Sequence, residues 1–154
     1  MHQEGVIYRD LKPENILIDA EGYLRITDFG MSKILQDTQM VDSRTATFCG
    51  TLEYMAPEMM ANNDYGFSAD WFSFGILLFE MLSCKNPFKN DNQEPASREE
   101  VPMKMQEILN RNSEEFFEGC EFTPESQDLL EKLLRYDPEM RIGCRENLGV
   151  NEIK

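Results

Sequence analysis

Four polar residues near the start of the chain have the side chains that phosphate chemistry needs. They are Asp10, Lys12, Asn15 and Asp28, in the segment "YRDLKPENILIDAEGYLRITDFG" that runs from Tyr8 to Gly30. A carboxylate can act as a base, and a lysine can neutralise phosphate charge as a point cation. Asn and Asp oxygens suit Mg²⁺, which takes one or two carboxylates and keeps phosphate or water for its other positions. Together these groups are the parts of a phosphoryl-transfer site.

The same segment predicts a β-hairpin that would bring these side chains together. Asn15–Asp19 and Tyr23–Asp28 are short apolar or β-branched runs, and Ala20–Gly22 between them has the composition of a turn. A hairpin returns the end of its second strand to the place where the first strand began. We therefore expect Asp28 to lie close to Asp10.

The remainder of the chain predicts helices joined by two polar loops. Phe29–Pro57 has little periodicity and predicts one long loop, and Asn86–Glu100 is polar and predicts a surface loop. Ser68–Ser83 is apolar on nearly every face and predicts a buried helix. Pro102–Asn110 predicts a short helix, and Thr123–Pro138 predicts another, with Thr at the N-cap, Pro at the first position and a leucine stripe.

The charge balance of the chain argues against binding to nucleic acid. The 154 residues carry a formal net charge of −14, whereas a protein that binds phosphate backbones carries the opposite sign. The acidity fits basic partners, or it simply keeps the protein in solution. His2 is the single histidine, so a Ser-His-Asp triad or a histidine-based metal site is close to excluded.

The cysteine pattern and the hydropathy predict a cytoplasmic protein without a membrane span. The four cysteines contain no C-x-x-C pair and do not form a dense disulfide framework, so free thiols in a reducing compartment are expected. The longest apolar run, Trp71–Leu82, is too short to cross a bilayer. The N-terminus has neither the basic region nor the apolar region of a signal peptide.

Three motifs in order resemble the signatures of protein kinases. The segment "YRDLKPEN" resembles the catalytic loop, "DFG" follows it at Asp28–Gly30, and "APE" follows at Ala56–Glu58. Tyr8 in place of the more usual His resembles the AGC group of serine/threonine kinases. The segments "TATFCGTLEYMAPE", "SADWFSFGILLFEML" and "LLRYDPEMRIG" resemble the activation segment, central helix and closing segment of that group.

The resemblance implies a kinase-like large lobe, mainly α-helical with a short β-hairpin at the catalytic loop. Residues 1–154 would form a partial protein kinase domain. The chain contains no G-x-G-x-x-G loop, and the strand lysine and helix glutamate that complete a kinase ATP site have no counterparts in it. The expectation is therefore that the small lobe is absent, that both ends lie inside a domain and that the chain has little activity alone.

The resemblance also assigns catalytic and cofactor roles to individual residues. Asp10 resembles the base that orients the substrate hydroxyl, Lys12 would contact the transferred γ-phosphate, and Thr51 would hydrogen-bond near both. The implied cofactors are ATP and Mg²⁺, with Asn15 and Asp28 as the metal ligands. The cofactor-binding set is Lys12, Glu14, Asn15 and Asp28.

Regulatory and structural roles follow from the same resemblance. Thr47 matches the position of the activation-loop phosphosite, where an upstream activating kinase would act and Arg9 would pair with the phosphate. Glu58 and Arg141 would form a buried structural ion pair. Asp70 would brace the catalytic-loop backbone, although an acid at a helix start is also common without such a role.

Glu14 and Glu80 match positions at which basophilic members of the AGC group bind an arginine upstream of the phosphoacceptor. The implied partners are protein or peptide substrates with basic residues near Ser or Thr. For Glu80, an ordinary helix-surface acid is an equally good interpretation. The alternative to an enzyme is a binding module, a kinase lobe that docks substrates or regulators without catalysis.

Overall fold

The computed structural model of the chain is mainly helical, with two small β-sheets. It describes residues 1–35, 45–47, 49–61, 63–89, 100–110 and 113–143. The α-helices in these ranges are α1 (Pro57–Met60), α2 (Ser68–Ser83), α3 (Glu100–Leu109), α4 (Ser113–Phe116) and α5 (Pro124–Leu133). Single turns of 3₁₀-helix cover His2–Glu4, Pro13–Asn15, Phe29–Met31, Leu52–Tyr54 and Pro138–Met140.

Each of the two sheets is an antiparallel pair of short strands. Strand β2 (Ile16–Ile18) pairs with β3 (Leu24–Ile26), and Ile16 lies opposite Ile26. The hairpin predicted from the sequence is thus confirmed. Strand β1 (Val6–Ile7) pairs with β4 (Lys33–Ile34), so the chain crosses back beside its own start after the hairpin.

The prediction of one long loop over Phe29–Pro57 is wrong in part. Strand β4 lies within it, and Thr45 forms an isolated antiparallel bridge with Tyr65. These pairings are too short to leave a period in the sequence, because a two-residue strand cannot alternate. Residues 36–44 and 48 of the predicted loop lie outside the described residues, as do residues 90–99 of the second polar loop.

Helix α2 is the centre of the core and keeps the bounds that the sequence predicted. Ala69, Phe72 and Ile76 on this helix are 0% exposed. At Gly75 an added Cβ would lie 2.9 Å from the Cβ of Leu133 on α5. Because real Cβ atoms do not approach so closely, the absence of a side chain at Gly75 allows α2 and α5 to pack in direct contact.

Helix α5 begins as predicted, with the Thr123 side chain accepting a hydrogen bond from the backbone N–H of Ser126 at 3.3 Å. Its predicted end at Pro138 is wrong, because the helix ends at Leu133. Leu130, Leu133 and Leu134 form its buried stripe. Helix α3 covers the predicted short helix with slightly earlier bounds. None of the helices in the described ranges has the length and apolar character that a membrane span requires.

Candidate active site

The backbone that precedes Asp10 is fixed by a carboxylate on the central helix. Asp70, in the first turn of α2, accepts hydrogen bonds from the backbone N–H groups of Tyr8 and Arg9, both at 2.8 Å. The φ angle of Arg9 is 74°, which lies in the left-handed region that residues other than glycine rarely adopt. The two bonds to Asp70 therefore help to hold a backbone conformation that is unfavourable in isolation.

Asp10 lies at the centre of a closed set of polar contacts. Its Oδ1 accepts from the hydroxyl of Thr51 at 3.0 Å, and its Oδ2 lies 3.1 Å from Nζ of Lys12. Nζ of Lys12 in turn donates to the Thr51 hydroxyl at 2.8 Å. The Asp10 side chain is 10% exposed, so the carboxylate is oriented yet still reachable from solvent. This is the arrangement that a substrate-orienting base beside a phosphate-binding cation requires.

Asn15 is tied to Asp10 through its amide nitrogen. Nδ2 donates to the Asp10 backbone carbonyl at 2.8 Å and to Oδ2 of Asp10 at 3.0 Å. The side-chain oxygen of Asn15 is therefore directed away from Asp10 and is the atom that could meet a cation. The five-residue spacing seen in the sequence thus places the two side chains in direct contact.

The first strand of the hairpin is bonded to the residue that precedes Asp28. The backbone carbonyl of Asn15 accepts from the Thr27 N–H at 2.9 Å and from the Thr27 hydroxyl at 3.2 Å. Asp28 itself is exposed, with φ 55°, and its Oδ1 accepts from the Gly30 N–H at 3.1 Å. The hairpin register therefore brings Asp28 to the Asn15 side of the site.

The donor atoms of Asn15 and Asp28 fit Mg²⁺ but do not make a self-sufficient metal site. Among the described residues, no three or more His, Cys, Asp or Glu side chains are grouped so that they could hold a metal ion. Mg²⁺ commonly binds through one or two protein ligands and completes its coordination with substrate phosphate and water. One amide oxygen and one exposed carboxylate match that mode of binding.

Burial and the negative charge of this site raise the pKa of the Tyr8 phenol. Its hydroxyl donates to the carbonyl of Thr27. Burial raises the pKa of Tyr8 first, and the carboxylates of Asp10, Asp28 and Asp70 raise the pKa further. The phenol therefore stays protonated as a donor, and the three acids act on one buried group.

Arg9 and Thr47 are connected through Tyr65 and are not in direct contact in the described structure. Arg9 donates to the Met31 carbonyl through Nε, and its Nη1 lies 3.4 Å from the Tyr65 hydroxyl. That hydroxyl donates to the backbone carbonyl of Thr47. The Thr47 side chain is exposed. Burial and the neighbouring Cys49 raise the pKa of Tyr65 to about 12, so its hydroxyl remains a donor.

Lys33 is a residue that the sequence did not single out. Its Nζ donates to the Thr45 hydroxyl at 2.8 Å, and that hydroxyl lies 3.4 Å from the Thr47 hydroxyl. Together with Arg9, Lys33 brings a second cation to the Thr47 region. A lysine inside an aperiodic stretch carries no sequence signal for such a contact. Its position depends on the pairing of β1 with β4.

Glu14 and Glu80 both act on the phenol of Tyr54. The Tyr54 hydroxyl donates to Oε2 of Glu80. Burial, the bond to Glu80 and the charge of Glu14 all raise the pKa of Tyr54. Glu80 thus contacts Tyr54 directly, in the turn that follows Thr51, and the charge of Glu14 is the smallest of the causes that raise the pKa of Tyr54.

Glu58 and Arg141 form a buried ion pair away from the polar cluster around Asp10. Nη1 of Arg141 donates to Oε1 of Glu58 at 2.7 Å, and Nη2 donates to Oε2 at 3.1 Å. Arg141 is 0% exposed, also donates to the carbonyls of Ser68 and Arg135, and lies 4.9 Å from the ring centre of Phe72. The pair therefore joins α1 and α2 to the segment after α5.

Comparison with known proteins agrees with the motifs. Residues 1–151 match the family described as Protein kinase domain. The chain belongs to the protein kinase family. It is 43% identical to human Ribosomal protein S6 kinase alpha-2 and 42% identical to cAMP-dependent protein kinase type 3 of Saccharomyces cerevisiae, in both cases over 100% of the chain. It is 39% identical to human Protein kinase C delta type over 98% of the chain.

These relatives confirm the resemblance of this kinase chain to the AGC group. The chain spans 19%, 34% and 20% of the lengths of the S6 kinase, the yeast kinase and the protein kinase C, respectively.

Proposed function

We propose that this chain carries the catalytic residues for ATP-dependent phosphoryl transfer to Ser or Thr of protein substrates. The observation that carries the proposal is the closed contact set of Asp10, Lys12 and Thr51. Folding gains little from a lysine, a carboxylate and a hydroxyl turned toward one another at a partly exposed site. Phosphoryl transfer depends on this kind of positioning and charge stabilisation.

In the proposed reaction, Asp10 accepts a hydrogen bond from the substrate hydroxyl and takes its proton as the hydroxyl oxygen attacks the γ-phosphorus. Lys12 neutralises charge on the transferred phosphoryl group, and the Thr51 hydroxyl, which is bonded to both Lys12 and Asp10, helps to hold the two side chains in position. Asn15 and Asp28 would hold Mg²⁺, which supplies neutralisation of the phosphate oxygens when it is bound. The ADP leaving group departs from the opposite side of the phosphorus.

We further propose that residues 1–154 form the large-lobe part of a kinase domain and that the rest of the ATP site lies in other residues of a longer protein. Two observations support this proposal. The sequence contains no G-x-G-x-x-G loop, and one face of the hairpin exposes apolar side chains, with Ile18 73%, Leu24 59% and Ile26 40% exposed. A contiguous apolar face of this kind normally meets another protein surface.

The proposed substrates carry basic residues near the phosphoacceptor. The negative charge that would attract such residues comes from Glu14, from Glu80 and from the net charge of −14.

We also propose that an upstream kinase acts on Thr47. Its exposed side chain lies near Lys33 and, through Tyr65, near Arg9. A phosphate there would add about −1.5 to −2 charge beside these two cations.

The free thiols of Cys49, Cys84 and Cys120 suit a cytoplasmic setting.

The test uses the full-length native protein that contains these residues. Transfer of labelled phosphate from ATP is measured to three matched peptides whose acceptor is Ser, Thr or Tyr, with Mg²⁺ and with excess chelator. The proposal predicts Mg²⁺-dependent labelling of the Ser and Thr peptides and none of the Tyr peptide. Absence of labelling on all three, in a protein shown to be folded, would favour the binding-module alternative.

A further inference from the structure

The hydroxyl of Ser73 joins the central helix to the turn that follows Thr51. Ser73 lies on α2 and is 4% exposed. Its Oγ donates to the backbone carbonyl of Tyr54 at 2.7 Å and lies 3.1 Å from the Ala69 carbonyl within the same helix. The shorter of the two contacts is thus the one that connects separate parts of the chain. A buried carbonyl that loses such a donor is destabilised.

The other end of Tyr54 is bonded to the same helix. Its phenol donates to Oε2 of Glu80, which lies about two helical turns beyond Ser73 and hence on the same side of α2. Tyr54 is therefore attached to α2 at both its carbonyl and its hydroxyl. The bond at the carbonyl restrains the backbone from which the phenol extends.

The loop after α2 supports the same turn. Nδ2 of Asn86 lies 3.5 Å from the Glu53 carbonyl, and Oδ1 of Asn86 accepts from the Phe88 N–H at 3.0 Å. Because burial and the bond to Glu80 raise the pKa of Tyr54, the phenol stays protonated and remains a donor to the carboxylate. Glu80 therefore accepts a hydrogen bond from a donor that does not ionise.

We propose that Ser73 is a positioning residue for the recognition of basic substrate residues. It acts through Tyr54, whose phenol holds the Glu80 carboxylate in the orientation that meets the substrate cation. This inference rests on the proposed function in one respect, namely that Glu80 contacts a basic residue of the substrate. It adds a buried hydroxyl, remote from the substrate, that sets substrate preference.

A recognition role for Ser73 differs measurably from a purely structural one. If Ser73 only fills space and satisfies a carbonyl, its loss lowers the stability and leaves the preference for basic substrates unchanged. If Ser73 positions Glu80, its loss lowers the affinity for a peptide with upstream arginines and leaves the affinity for a matched alanine peptide unchanged.

The experiment measures equilibrium binding, so that it does not depend on catalysis. A fluorescent serine peptide with upstream arginines and its alanine counterpart are titrated with the full-length native protein and with Ser73→Ala. The ratio of the two dissociation constants is the preference. We expect the wild type to prefer the arginine peptide and Ser73→Ala to reduce the ratio about fivefold, the effect of one hydrogen bond.

Ser83→Ala is the matched control on the same helix. Ser83 makes the same type of bond within α2, from Oγ to the Phe79 carbonyl at 2.8 Å, and it contacts Lys85 in place of Tyr54. This variant should keep the wild-type ratio. Tyr54→Phe, which removes only the bonded hydroxyl, should reduce the ratio as Ser73→Ala does.

The outcomes separate the inference from the proposed function. A wild-type ratio in Ser73→Ala, together with a reduced ratio in Glu80→Gln, would overturn the role of Ser73 and leave the basic-residue site standing. A wild-type ratio in Glu80→Gln would overturn the site itself and the inference with it. If Ser73→Ala does not fold, Ser73→Cys keeps the volume with a weaker donor, and an unchanged ratio in that variant would equally contradict the inference.

Discussion

The carboxylate of Asp70 accepts a hydrogen bond from the backbone N–H of Arg9 at 2.8 Å, although 61 residues separate the two in sequence. The same carboxylate binds the N–H of Tyr8 at 2.8 Å and lies 2.7 Å from Nε2 of His2. The position of Asp10 thus depends on a helix that is formed elsewhere in the chain. We therefore expect a change at Asp70 to alter the candidate site as well.

Replacing Asp70 with Asn should impair phosphoryl transfer by the full-length protein. The amide has one acceptor oxygen, so one of the N–H groups of Tyr8 and Arg9 loses its partner while the side-chain size is kept. We expect kcat to fall by about tenfold or more, in line with the loss of a bond to a charged group. Steady-state kinetics with a serine peptide would measure it.

Asp128→Asn is the matched control for this change. Asp128 lies on α5 and pairs with Lys132 at the surface, where its side chain is 62% exposed. An equal loss of kcat in the two variants would show that Asp70 has no special connection to the candidate site.

Removing Arg141 should destabilise the region between α1 and the segment after α5. Arg141→Met leaves the buried carboxylate of Glu58 unpaired, which typically costs about 3–5 kcal/mol. Hydrogen exchange of the α1 and α2 amides in the native protein would report the loss as faster local opening.

Lys132→Met provides the contrast, because its exposed pair with Asp128 should contribute only about 0–1 kcal/mol. Protection of α1 and α2 that is the same in Arg141→Met as in the wild type would contradict the structural role given to the buried pair.

Replacing Cys84 with Gly should stabilise the end of α2. Cys84 is the C-cap of this helix and has φ 58°, a left-handed conformation in which an L side chain costs roughly 1–2 kcal/mol and glycine does not. Calorimetric unfolding should show a higher midpoint for Cys84→Gly. Cys84→Ala, which removes the thiol but keeps the Cβ, should show no such gain, and an equal gain would assign the effect to the thiol.

The hairpin turn should respond to acid through Asp19. Its carboxylate accepts from the Tyr23 N–H, the largest cause of its lowered pKa, and also from Arg25 and the Glu21 N–H. Because the folded pKa is lowered, Asp19 stabilises the fold above its ordinary pKa of about 3.9, and the contribution disappears as the pH falls through the folded value.

Asp19→Asn should therefore reduce stability at neutral pH and have less effect at about pH 3. Thermal unfolding of both forms at the two pH values would measure this difference. A penalty that does not diminish in acid would show that the charge of Asp19 is not what stabilises the turn.

The sequence predicted those parts of the fold whose signals are local. The β2–β3 hairpin, the bounds of α2 and the N-cap at Thr123 each follow from residues within one stretch, and all three are present. Strand β4 was missed because two residues carry no periodicity. The connections of Lys33 to Thr45 and of Ser73 to Tyr54 were also missed, because each depends on how distant segments pack.

For the candidate site, residue types and spacing indicated the chemistry but not the contacts. Asp10, Lys12 and Asn15 were singled out together because they are close in sequence. That Tyr65 lies between Arg9 and Thr47 could not be foreseen, since an isolated bridge between Thr45 and Tyr65 places it there.

The most direct test of the proposed phosphoryl-transfer site is the rate of phosphoryl transfer to a serine peptide by the full-length native protein and by its Asp10→Asn variant. A general base contributes about 10²–10⁴-fold, so we expect a loss of that size in kcat with little change in unfolding temperature. Asp64→Asn, an exposed acid, should keep the wild-type rate. Equal rates for the wild type and Asp10→Asn would contradict the claim that these residues form a phosphoryl-transfer site.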